Sequence, residues 1–131
     1  MYMNDSLTKL HEDSALLTYL GDIRRAMQKH FVCLSLDSQG QVIANHIVFI
    51  GTLNSVITHP REIFAVAIAD HAAEIVVAHN HPSGGLLPSK QDTAMTQQLV
   101  AAGQIRGIPL VDHIIVTKDG WFSFREHSLI M

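Results

Sequence analysis

Residues 74–92 read Glu74-Ile75-Val76-Val77-Ala78-His79-Asn80-His81-Pro82-Ser83-Gly84-Gly85-Leu86-Leu87-Pro88-Ser89-Lys90-Gln91-Asp92. The apolar, β-branched run Glu74 to Ala78 predicts a short buried strand. His79 to Pro88 holds two of the chain's four prolines and two of its eight glycines, which predicts a loop leaving the carboxyl end of that strand. Ser89 then caps a helix of about seventeen residues, with Met95, Leu99 and Ala102 inward and Gly103 or Gly107 near its end.

Working outward, Leu16, Leu17, Leu20, Ile23 and Met27 recur at helical spacing and predict an amphipathic helix from Asp13 to Gln28, capped by Asp13 or Ser14. Phe31 to Asp37 and Gln41 to Ile50 predict a hairpin closed at Ser38-Gln39-Gly40. Pro60 opens a second helix running to His71, with Ile63, Phe64, Ala67, Ile68 and His71 on one face. After the third helix, Pro109 to Thr117 and Trp121 to Phe124 predict two strands joined by Lys118-Asp119-Gly120. The order α-β-β-α-β-α-β-β predicts a single α/β or α+β domain over 1–131, a mixed sheet with helices packed on it.

Composition bounds the partners. The chain has 131 residues, 47% hydrophobic and 16% charged, with a mean hydropathy of +0.19, which is enough for one packed core. No apolar stretch reaches the roughly 18 residues of a bilayer span, and the polar start lacks the pattern of a signal peptide. The expectation is a cytoplasmic protein without membrane contact. The net charge of −3 argues against strong intrinsic binding to nucleic acid. Arg24, Arg25, Lys29 and His30, the densest basic group, read as a solvated helix face. One cysteine, Cys33, allows neither an internal disulfide nor a cysteine zinc cage. It sits in an apolar strand and reads as inert.

Any metal must therefore be held by His, Asp or Glu. His79 and His81, at i and i+2 on a strand end, project from the same side of the backbone and can share one ion. Asp92, one turn into the following helix, can point back to complete a His-His-Asp set suited to Zn²⁺, with a fourth position open to water. Zinc so held acidifies its water and polarises a carbonyl, as amide hydrolysis needs. Ser89-x-x-Asp92 is also a helix capping box by itself. Both readings can hold together.

The pattern His-x-His-Pro, six residues, Ser, two residues, Asp resembles the metal motif of the JAMM, or MPN, metalloproteases. Gly51-Thr52-Leu53-Asn54, His59-Pro60-Arg61-Glu62-Ile63-Phe64, His79-Asn80-His81-Pro82-Ser83-Gly84 and Asp112-His113-Ile114-Ile115-Val116 look like its RadC branch. The likeness covers about Phe31 to Phe124. It implies a three-layer fold with a curved mixed sheet, zinc on His79, His81 and Asp92, and a Ser89 hydroxyl that stabilises the oxyanion of a cleaved amide. Longer RadC proteins carry a helical DNA-binding-type segment ahead of this domain, which the first thirty residues here do not resemble.

In that family a glutamate two residues before the aromatic residue of the first strand is the general base. Here that position is Lys29, and a protonated lysine cannot take a proton from water. Glu62 or Glu74 could substitute, although Glu62 also suits the first turn of a helix for its charge alone. Lys29 could act if neutral, or the domain could bind zinc without turnover and serve protein interaction or repair-associated regulation. A zinc nucleobase deaminase would need His-x-Glu and Cys-x-x-Cys, which a single cysteine excludes. The expected function is a zinc-dependent peptidase or isopeptidase acting on a peptide or protein of unknown identity, with a homodimer left open. Asp112-His113 could orient a ligand, but neighbours on a strand face opposite ways, which favours a buried structural role. His30, His46, His59, His71 and His127 lack ligand spacing and read as surface or cap residues.

Overall fold

A computed structural model describes residues 15–51 and 59–130. Its elements are α1 (Ala15–Arg24), β1 (Lys29–Leu36), β2 (Val42–Gly51), α2 (Pro60–Ala69), β3 (Glu74–Asn80), α3 (Lys90–Arg106), β4 (Leu110–Val116) and β5 (Trp121–Ser123). The strands form one sheet in the order β2-β1-β3-β4-β5. The β3–β4 pair is parallel, as its helical crossover α3 requires, and the other pairs are antiparallel.

The central strands are apolar on both faces because both faces are covered. On one side Phe31, Cys33, Ile75, Val77 and Ile115 pack with Ile63, Phe64 and Ala67 of α2 and Met95 and Leu99 of α3. On the other, Val32, Leu34, Val76, Ala78, Ile114 and Val116 pack with Leu20 and Ile23 of α1. The result is three layers around a mixed sheet, as expected.

Several boundaries differ from the expectation. The predicted caps Asp13 and Ser14, and Thr52-Leu53-Asn54, lie outside the described residues. Helix α1 ends at Arg24 rather than Gln28, and Met27 is 87% exposed. The buried amide of Asn80 donates to the carbonyls of Ala26 (3.2 Å) and Gln28 (2.9 Å), holding this stretch as an irregular turn. Helix α2 ends at Ala69. Ile68 is 53% exposed and His71 takes a left-handed φ of 56°, where the chain reverses into β3.

Strand β3 runs on through His79 and Asn80, because β1 and β4 flank it: Phe31 and Ile115 are the register partners of His79. The loop therefore starts at His81. Helix α3 begins with the expected capping box and ends on Gly107 at φ 70°. A Cβ at Gly103 would meet the Ile108 carbonyl oxygen at 2.5 Å, so the helix can approach the chain entering β4 only without a side chain there.

Candidate metal centre

Central position in the sheet makes His79 fully buried, and its ring stacks on that of Phe31 with centroids 5.7 Å apart. Its Nδ1 lies 2.9 Å from Nε2 of His113 on β4. Nδ1 of His113 in turn lies 2.6 Å from the hydroxyl of Thr96 on α3, which donates to the Asp92 carbonyl at 2.8 Å. Burial pushes the pKa values of both imidazoles below the ordinary value, so both are neutral. The tautomers follow from this chain of contacts. Thr96 uses its one hydrogen on Asp92, so His113 Nδ1–H donates to Thr96 and His113 Nε2 accepts from His79 Nδ1–H. Nε2 of His79 is left with a free lone pair.

His81 reaches the same point from the loop. Its backbone N–H extends the β3–β4 pairing by one bond to the Val116 carbonyl at 3.0 Å. Its Nδ1 donates to the Gly85 carbonyl at 2.7 Å, leaving Nε2 as the lone pair. The loop curls back to do so through Gly84, whose φ of 92° favours glycine.

Asp92 is the third residue of α3. Its Oδ2 accepts from the Ser89 N–H at 2.8 Å while its own N–H donates to Ser89 Oγ at 3.0 Å. The same carboxylate lies 3.2 Å from Nε2 of His79 and 3.2 Å from Nε2 of His81. Burial pushes this carboxyl up, but the Ser89 N–H, and a proton on either facing imidazole nitrogen whenever one binds there, hold it well below the ordinary carboxylate range. With both Nε2 atoms unprotonated the carboxylate meets two lone pairs instead. Capping leaves lone pairs of the same carboxylate facing the two imidazoles.

One ligand atom from each of His79, His81 and Asp92 lies within 4.8 Å of the others. The two Nε2 atoms are 3.1 Å apart, with both Nδ1 hydrogens directed elsewhere. Two lone pairs and a carboxylate facing one point call for a cation, and two imidazole nitrogens with one oxygen form a donor set suited to Zn²⁺. The residues fit the ion.

A cavity of about 280 Å³ opens beside this point, lined by Lys29, Asn80, Ser89, Gln91 and the candidate ligands His81 and Asp92. Lys29 thus faces the site. Glu62 is exposed in the first turn of α2 and does not line the cavity. Glu74 starts the strand that ends near His79, roughly 16 Å away at about 3.3 Å per residue. Asp92 is the cavity's only carboxylate among the described residues.

Sequence reasoning missed Thr96 and underrated His113. Asp112 and His113 do point opposite ways: Asp112 accepts from the N–H of Arg125 and the hydroxyl of Ser123, while His113 contacts Nδ1 of His79. No local spacing relates His113 to His79, although a histidine on an apolar strand was a signal. Asn80 was also passed over. Besides the carbonyls of Ala26 and Gln28, it takes the N–H of His30 at 2.6 Å. The other described histidines stay outside the site, His46 pairing with Asp70 at 2.7 Å.

A family model described as the RadC-like JAB domain matches residues 10–129. Among curated proteins, a UPF0758 protein of Bacillus licheniformis is 48% identical over 111 residues, covering 85% of this chain and 50% of that protein. A UPF0758 protein of Chlorobium chlorochromatii is 41% identical over 130 residues, covering 98% of this chain and 59% of its own length. The chain spans about half the length of these relatives. Among the described residues no helix is long and apolar enough to cross a membrane.

Proposed function

Because this chain belongs to the RadC-like JAB domain family, we propose that it is a zinc-dependent hydrolase of amide bonds, with His79, His81 and Asp92 as the ligands. The observation that carries this reading is the convergence of two Nε2 lone pairs on a buried carboxylate, beside an open cavity. Bound zinc would supply Lewis acidity to a substrate carbonyl and acidify a water molecule.

The chain's own groups have defined parts. Gly85 and His113 hold the two imidazoles in the tautomer that offers Nε2. Ser89 Oγ accepts from the Asp92 N–H, so its own hydrogen is free to stabilise a developing oxyanion, a contribution of about 10²–10³-fold for one such donor. A protonated Lys29 can deliver a proton to a leaving nitrogen but cannot take one from water.

Lys29 also favours a second reading, a zinc-binding module with little turnover. Zinc content by elemental analysis, followed by cleavage of a fluorogenic peptide library by the native chain and by Lys29→Glu, separates the two. About one zinc per chain, with cleavage raised about 10²-fold or more in Lys29→Glu, is the expected result. Zinc without cleavage in either protein leaves the module reading, and no zinc after incubation with it sinks both.

A further inference from the structure

A second cavity, of about 520 Å³, lies against the metal centre, and the two share His81, Pro82 and Ser83. Arg24 and Arg25 at the end of α1, Met27 in the following turn and Lys118 in the β4–β5 turn form its far walls. Three cations and, among the described residues, no carboxylate line it, in a chain whose net charge is −3. The sequence alone placed Arg24 on a solvated face. Instead its Nε donates at 2.9 Å to the Thr117 carbonyl across the cavity wall, a bond to another element rather than to the carbonyls at its own helix end. That bond fixes the plane of the guanidinium and leaves the terminal nitrogens to present a fork. Among the described residues no carboxylate pairs with Arg24, Arg25 or Lys118. Asn80, between the two ligand histidines in sequence, pins the 26–28 turn and so holds the basic arm in a set position beside the site.

We infer that this cavity binds a peptide carboxylate, so that the hydrolase proposed above acts on substrates with an acidic side chain or a free C terminus near the bond it cleaves. The inference rests on that proposal for the reaction but not for the binding. A guanidinium held in plane is matched to a carboxylate, which it can engage through two parallel hydrogen bonds. The exposed Met27 and half-buried Pro82 offer apolar contact for the rest of a peptide. Nucleic acid fits less well, because backbone affinity grows with the number of phosphates neutralised and the chain as a whole is acidic.

The test is fluorescence anisotropy with the full chain and four probes. These are a labelled decapeptide alternating Glu and Ala, its Gln counterpart, both with amidated C termini, the Gln peptide with a free C terminus, and oligothymidylate of the same length. The expected result is that a carboxylate, in the side chains or at the terminus, tightens binding at least about tenfold over the amidated Gln peptide. Whichever of the two does so identifies the source. Arg24→Gln with Arg25→Gln should abolish that preference while zinc content stays unchanged. His79→Ala, which disables the metal centre, should keep it. Equal affinity for all three peptides, an unchanged preference in the arginine variant, or tighter binding of oligothymidylate than of any peptide overturns the inference. A retained preference in a chain that holds no zinc overturns the proposed reaction and leaves the carboxylate site standing. Circular dichroism on each variant identifies any that fails to fold, and Arg24→Lys, which keeps the charge but loses the fork, then takes the place of the arginine pair and should show an intermediate preference.

Discussion

His113 Nε2 stands 2.9 Å from Nδ1 of His79, and both rings are fully buried and neutral. The pair spans the parallel β3–β4 ladder, so a strand that contributes no candidate ligand of its own sets the orientation and tautomer of the candidate ligand beside it. His113 is therefore a positioning residue. Its ring is clamped in turn by Phe124, stacked at 4.6 Å, and by the Thr96 hydroxyl.

Replacing His113 by Ala should weaken zinc binding about 10–100-fold, measured by competition with a chromogenic chelator. Thr96→Val should move affinity in the same direction by less. If His113 served packing alone, the melting temperature would fall while the affinity of the folded protein stayed constant.

Asp92 has two duties that one substitution can separate. Asp92→Asn keeps an oxygen to accept from the Ser89 N–H, so in chelator-treated protein unfolding by urea should change by no more than about 1 kcal/mol. Zinc content should nevertheless be lost. Ser89→Ala should do the reverse, costing about 1 kcal/mol of helix capping while zinc remains, because the backbone N–H that holds Asp92 is untouched.

On the same face of the sheet but at its opposite end, Asp70 accepts from the Ser35 hydroxyl and faces His46, both at 2.7 Å. Burial raises its carboxyl, but these hydrogen bonds and the His46 charge outweigh it and hold the pKa below the ordinary 3.8. A lowered carboxyl pKa contributes stability above the ordinary value, and that contribution disappears as pH falls below it. Asp70→Asn should therefore lower the melting temperature at pH 6, and the difference from the native chain should shrink to nothing as pH falls below the ordinary carboxyl value and then through the lowered one, as scanning calorimetry would reveal.

Burial, with the Asp70 charge adding to it, pushes the Cys33 thiol up to about 12. Iodoacetamide should not label the folded chain at pH 8 and should label it rapidly in urea. Mass spectrometry that finds alkylation of native protein at the rate of a free thiol would contradict the placement of Cys33 in the core.

Much of this candidate site could be read directly because the three groups that converge there all lie between residues 79 and 92, across one strand end, one loop and one helix start. The strand period brings His79 and His81 together, and the capping box fixes Asp92 on the first turn of α3. The supports come from elsewhere. His113 and Thr96 meet His79 only because β3 and β4 pair and α3 crosses over them, and no spacing in the chain encodes that. The misjudged ends have a similar origin: Met27 continues a helical periodicity, yet Asn80 draws its turn out of the helix. Arg24 has the sequence surroundings of a solvated residue, and only the fold brings the Thr117 carbonyl to it.

The three candidate ligands are also carried differently. His79 belongs to a strand paired on both sides and Asp92 to a capped helix, whereas His81 sits beyond the last residue of β3 and is oriented by a carbonyl of its own loop. Changes to residues 82–88 therefore act on one ligand while the sheet and its two cores keep their packing. Metal affinity and fold stability become separately adjustable quantities. A lineage of such domains could strengthen, weaken or lose its chemistry through the loop alone, with the scaffold inherited intact.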